Sequence, residues 1–193
     1  EKTDYFENLM VGQEEARKKL SCHINYYYST GYWPPCLIFS PRGFGKSMTL
    51  LHIAKLLYIK GTKTIKPYLS INASEIIDVN YLFTNIIPHL INKDITISVD
   101  EASALPKDVQ NMLLNILNIT DDNKTQINYD NDSYIFDMNR ISWLFASTNI
   151  ECFTEPFRDR LKIIQYVHYN QKELAQILIK KLKDTNQLDT LIL

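Results

Sequence analysis

Apolar positions along the chain fall into two rhythms that take turns. Residues 34–40 (PPCLIFS), 94–103 (DITISVDEAS) and 141–149 (ISWLFASTN) are short, nearly continuous apolar runs that end in polar residues. Runs of this length predict buried strands. Residues 66–74 and 162–169 read as two more strands. Between them lie helix-period stretches. Residues 12–31 are rich in strong helix formers early and close on glycine, and residues 46–61 also end at glycine. Residues 75–90 read as a helix with Pro88 near its end, residues 106–120 as one that opens on proline, and residues 170–186 as one capped by Asn170. Residues 4–10 form a lead-in.

Strands alternating with helices predict an α/β fold, a five-stranded parallel sheet between helices. Residues 121–140 break the rhythm. They are polar, turn-rich and alternating, so a β-hairpin insertion is expected at about residues 119–140. No internal repeat or low-complexity tract interrupts the chain.

Composition narrows the class. The 193 residues suffice for one domain with a full core, or one domain plus a fragment of a second. A net charge of −1 excludes a globally basic protein, so nucleic-acid contact requires a local patch or assembled copies. Cys22, Cys36 and Cys152 are scattered, without metal-ligand spacing, which argues for a reducing, cytoplasmic setting. No run approaches the ~18 apolar residues of a membrane span, and no membrane partner is expected. The chain opens on Glu1 without a signal peptide, and we expect a trimmed polypeptide.

The chemistry concentrates at strand ends. In a parallel α/β sheet, ligands bind beyond the carboxyl ends of the strands. SPRGFGKS (residues 40–47) sits there, between a strand and a helix. Gly43, Gly45, Lys46 and Ser47 fit the phosphate-loop pattern, while Ser40 stands where its first glycine belongs. A negative φ would let serine serve. Main-chain N–H groups at a helix N-terminus cradle phosphate oxygens. Lys46 would neutralise the β and γ phosphates, and the Ser47 hydroxyl would ligate magnesium. The strand 94–103 ends in Asp100-Glu101. There Asp100 would hold the metal, and Glu101 would polarise the attacking water as general base. Asn149 closes the next strand and would orient that water. Arg158 and Arg160 follow in EPFRDRL, read as a tight loop, where an arginine finger that meets a neighbouring γ-phosphate is expected.

This ordered set resembles the AAA+ ATPases. Within them the chain looks most like the RuvB family of Holliday-junction branch-migration motors, with clamp-loader subunits next. VGQEEARKKL (residues 11–20) is similar to that family's opening, whose Gly-Gln lies beside adenine. VDEASALPKDVQNMLLNILN (99–118) and EPFRDRLKIIQYVHY (155–169) resemble its metal-binding strand and its arginine block. The hairpin falls where that family contacts its partner RuvA. The resemblance covers residues 11–182. It implies a large nucleotide-binding subdomain over residues 1–169 and the first helix of an incomplete lid over 170–193. It also implies ATP and Mg²⁺ as cofactors, a homo- or hetero-oligomeric ring, and DNA as partner. By position, Val11, Gly12 and Gln13 line the adenine pocket, and Pro41, Arg42, Gly43, Phe44, Gly45, Lys46, Ser47 and Met48 wrap the nucleotide. Ser47 and Asp100 hold the metal, Glu101 is the base, and Asn149 is sensor one. Arg160 is the finger, with Arg158 as its reserve.

The chain departs from that family in four ways. Asn149 replaces a threonine, as in clamp loaders. Ser40 replaces a glycine, and "DRL" replaces the "DRFG" ending. No sensor-two arginine or winged-helix DNA-binding domain can be placed. Three functions are therefore expected in competition: a DNA motor, a clamp-loader or helicase-loader subunit, and a nucleotide-gated protein-binding scaffold.

Three features stand apart from this set. The aromatic cluster NYYYSTGYW (25–33) either packs a helix end or stacks on bases. Lys180, Lys181 and Lys183 read as a solvated face. The four histidines share no ligand spacing.

Overall fold

A computed structural model describes residues 3–184. The final residues of the expected last helix, from 185 on, lie outside the described residues. Seven strands and six α-helices follow one another: α1 (Glu14–Thr30), β1 (Cys36–Phe39), α2 (Lys46–Leu56), β2 (Tyr68–Asn72), α3 (Val79–Tyr81), β3 (Ile95–Asp100), α4 (Lys107–Leu117), β4 (Lys124–Tyr129), β5 (Asp132–Asp137), β6 (Ile141–Ser147), α5 (Glu155–Asp159), β7 (Lys162–Gln165) and α6 (Gln171–Asp184).

The main sheet has five parallel strands in the order β2-β3-β6-β1-β7. The expected architecture is therefore present. Successive side chains of a strand point to opposite faces, and the two cores divide the central strands that way. Leu37, Ile97, Trp143 and Phe145 join the core beneath α4. Cys36, Ile38, Leu144 and Ala146 join the core beneath α1 and α2. β6 is buried along its whole length, which explains its near-unbroken apolar run.

The expected hairpin is the antiparallel β4–β5 pair, with Asp130 and Asn131 both at positive φ in its two-residue turn. Phe83 stacks on Tyr129 at 4.1 Å between ring centroids and meets Tyr134 edge-on, which fixes the hairpin to the body.

Three elements differ from expectation. The helix expected over 75–90 is broken. Asp78 caps a short α3 through a 2.6 Å bond from the Tyr81 N–H, and the chain then widens to a π turn (Leu82–Ile86) and tightens to a 3-10 turn (Ile87–His89). Pro88 has no N–H to extend a helical ladder. α2 stops at Leu56 rather than near Gly61. There the Lys66 N–H bonds the Leu57 carbonyl, and Tyr58 bridges Ile65, so residues 57–66 fold back as a tight excursion. A short helix, α5, replaces the expected arginine loop. Among the described residues, no helix is long and apolar enough to cross a membrane.

Candidate functional site

β1 delivers the phosphate-loop segment to the carboxyl edge of the sheet, and α2 begins at Lys46. Gly45 caps α2 at φ 83°, a conformation open to glycine at little cost. Ser40 keeps a negative φ, which is why a serine serves at a glycine position. It is fully buried, and its N–H donates to the Ser147 carbonyl at 3.2 Å, tying the loop to β6. The Lys46 ammonium is folded onto the loop, donating to the carbonyls of Ser40 (2.8 Å) and Pro41 (2.9 Å). Burial lowers its pKa; Asp100 and Glu101 oppose the shift and Arg42 adds to it.

The sheet order decides the site. β6 lies between β1 and β3, so the loop after β1 and the acidic end of β3 flank the tip of β6. The Ser47 hydroxyl donates to Asp100 Oδ2 at 2.5 Å. Arg42, Gly43, Gly45, Lys46, Ser47, Met48, Asp100 and Glu101 converge on one cleft of about 510 Å³. Asp100 Oδ1 accepts from the Glu101 N–H at 2.9 Å, and Glu101 takes a left-handed backbone (φ 50°), unusual for a non-glycine residue.

Three residues that sequence reading passed over also line this cleft: Asn72, Ser147 and Thr148. Asn72 pairs with Asp100 in register across β2 and β3, and its amide donates to Glu101 Oε2 at 3.3 Å. Asn149 follows the lining residue Thr148 at the end of β6, and its side-chain oxygen accepts the Glu151 N–H at 2.9 Å and closes the turn.

A second pocket of about 180 Å³ adjoins the first, sharing Gly43, Gly45 and Met48. Leu9, Met10, Val11, Phe44 and Ile177 give it apolar walls, and Phe44 stacks on Tyr169 at 5.0 Å. Gly12 and Gln13 follow Val11 just beyond its lining. Gly12 takes φ 61°, a conformation that favours glycine, and the Glu173 carboxylate lies over it. Gln13 is buried, and its amide spans the Val167 main chain, donating to the carbonyl at 2.7 Å and accepting from the N–H at 2.9 Å. It fastens the link between β7 and α6. Arg158 and Arg160 lie outside both pockets, on α5 and at its end. Neither guanidinium has an ion pair or hydrogen bond among the described residues.

The family model for the ATPase family associated with various cellular activities (AAA) matches residues 36–169, from β1 through the link to α6. The chain belongs to the AAA family of ATPases. Solved structures agree on the fold of this AAA protein. A mutant form of Thermotoga maritima RuvB superposes with a TM-score of 0.73 at 20% identity, over 96% of this chain and 55% of that one. The Thermotoga maritima RuvB described as a Holliday junction branch migration motor gives 0.70 at 20% identity, over 91% and 52%. The AAA chain thus spans about half the length of the RuvB structures it matches. No curated protein matches it by sequence at a significant level.

The residues also fit the metal that AAA ATPases use with ATP. Ser47 and Asp100 offer two adjacent oxygen donors at the mouth of α2. Mg²⁺ favours one or two protein oxygens, with phosphates and waters completing its shell.

Proposed function

We propose that this AAA chain binds ATP with Mg²⁺ in the double pocket and hydrolyses it between neighbouring copies in a ring, using the cycle to remodel or move DNA. The observation that carries the reading is the Ser47–Asp100 hydrogen bond, because it brings a metal-binding hydroxyl and a carboxylate from separate elements to one point. The nucleobase enters the apolar pocket of Val11, Phe44 and Met48, and Gly12 and Gln13 hold its margin. The triphosphate lies along residues 41–48, with loop N–H groups on its oxygens. Lys46 leaves its two carbonyls to meet the β and γ phosphates. Ser47 and Asp100 would hold Mg²⁺, which would supply positive charge to the phosphates.

Glu101 accepts a proton from the attacking water, which displaces ADP from the γ-phosphoryl group and yields inorganic phosphate. While Asn72 bonds Glu101, the base is held toward β2, so turnover requires that bond to open. Asn149, beside Thr148 at the tip of β6, orients that water between Glu101 and the γ-phosphate. Arg160, or Arg158 in its place, completes the neighbouring copy's site. Residues 1–169 form the nucleotide-binding subdomain with its hairpin, and residues from 170 on begin a lid. DNA and the ring come from the likeness to RuvB, a protein described as a Holliday junction motor.

Nucleotide binding and ATP turnover test the assignment. Lys46→Ala should bind ATP at least 100-fold more weakly. Glu101→Gln should bind normally, with turnover lower by about 10²–10⁴. Normal ATP affinity in Lys46→Ala refutes the phosphate-loop assignment. In a junction-migration assay with ATP, movement of DNA supports the motor. Stimulation only by a sliding clamp assigns a loader instead. A biological activity indifferent to Glu101→Gln assigns a scaffold.

A further inference from the structure

The net charge of −1 conceals a strong asymmetry. Between Glu15 and Glu75 the chain has no Asp or Glu, but carries Arg17, Lys18, Lys19, Arg42, Lys46, Lys55, Lys60, Lys63 and Lys66. Part of this excess meets the NYYYSTGYW cluster. The end of α1 packs against the excursion 57–66 at the amino-terminal edge of the sheet. An 11-residue α2 spans about 16 Å, so this edge is remote from the nucleotide cleft.

A pocket of about 420 Å³ opens there, lined by Tyr27, Tyr28, Gly31, Tyr58, Lys60 and Lys63 among others. Tyr28 is 45% exposed. Its hydroxyl donates to the Leu56 carbonyl at 2.9 Å and its ring lies 6.3 Å from that of Tyr58, so both rings are held in place. Lys60 reaches over Gly31 to the Thr30 carbonyl at 3.1 Å. Among the described residues, neither Lys60 nor Lys63 has an acidic partner. Fixed aromatic faces beside uncompensated cations match a ligand that carries both flat rings and regularly spaced anions.

We propose that this pocket seats single-stranded nucleic acid, with a base against Tyr28 and Tyr58 and backbone phosphates on Lys60 and Lys63. Single strands suit it because unpaired bases can enter a concavity and stack, whereas paired bases present no free face. The tyrosines at its centre favour nucleic acid over an acidic peptide, which would need only the lysines. The seat is independent of the ATPase reading, since no lining residue belongs to the nucleotide cleft.

The test is fluorescence anisotropy of an oligothymidylate of about 15 nucleotides, titrated with the protein without ATP over a range of salt. Wild type should bind, and Lys60→Glu/Lys63→Glu should lose at least tenfold in affinity. Its log–log salt slope should shrink by about 1.4, the loss of two single-strand phosphate contacts. Lys107→Glu/Lys172→Glu changes net charge equally and should stay within about twofold of wild type. Tyr58→Leu should cost about tenfold through lost stacking. An unchanged urea-unfolding midpoint in each variant shows that the fold is intact. The proposal is overturned if wild type does not bind, if both charge-reversal pairs weaken binding equally, or if polyglutamate competes as well as the oligonucleotide at equal charge.

Discussion

Lys66 shows how one residue can carry a measurable energy. Among the described residues it is the one charged side chain that is almost fully buried. Its ammonium donates to the Asn139 carbonyl (3.2 Å) and the Ser142 hydroxyl (3.1 Å) and lies 5.0 Å from the centre of the Tyr27 ring. No carboxylate pairs with it, because Asp94 is engaged by Arg140. Burial pushes its pKa down to about 8, with Asp94 and Asp137 opposing the shift. An unfolded lysine titrates near 10.4, so between about pH 8 and 10.4 the unfolded chain binds more protons. Stability contributed at Lys66 therefore rises with pH across that window, by about 3 kcal/mol if the whole shift is expressed. Below pH 8 both states are protonated and the full penalty is present. Urea unfolding of wild type and Lys66→Met from pH 7 to 10.4 measures this. The stability difference, wild type minus variant, should climb with pH, and a flat difference would mean that the lysine keeps its solvation. Single residues also mark what the sequence could reveal. Gly45, Lys46 and Ser47 were legible because a phosphate loop is local chemistry. Asn72 at the cleft was not, because its place there depends on which strands are neighbours. Once β2-β3-β6 is the order, Asn72 must face the end of β3.

At the scale of elements, legibility followed the strength of the local pattern. All five sheet strands and the hairpin were readable from apolar runs and alternation. The segment 75–90 was not, because its apolar residues keep helical spacing while Asp78 and Pro88 divide its hydrogen bonding. The outcome has a structural use. The π turn brings Phe83 against Tyr129 and Tyr134, so an irregular helix serves as the socket for the hairpin. Face-to-face and edge contacts of this kind contribute about 0.5–1.5 kcal/mol beyond area burial. A double-mutant cycle with Phe83→Leu and Tyr129→Leu should give a coupling energy near 1 kcal/mol. Phe83→Ala should also speed amide exchange across β4 and β5 more than across β3. Additive single effects would show that the hairpin stands without this socket. α6 is the opposite case. Its pattern was legible, yet Leu174, Leu178 and Ile179 stay largely exposed, so helical spacing alone did not say which face would find cover within this fold.

The whole molecule poses the question of a composite site. Its cleft collects the phosphate-loop segment, Ser47, Asp100 and Glu101 from one chain, while Arg158 and Arg160 lie outside it without partners among the described residues. Two guanidiniums without an internal partner can take an anion brought by another molecule. A γ-phosphate on an adjacent copy is such an anion, and head-to-tail contacts of this kind close into rings. Arg160→Ala should then bind ATP normally and lose about 10³–10⁵ in turnover. The decisive experiment mixes two inactive proteins. Lys46→Ala cannot use its own site but still presents Arg160, and Arg160→Ala has an intact site but offers no arginine. Mixed in equal amounts, they should recover turnover at those Arg160→Ala sites that face a Lys46→Ala neighbour, about a quarter of all sites under random head-to-tail assembly. A mixture as inactive as its components would place the arginine's action within its own subunit, or remove it from catalysis altogether.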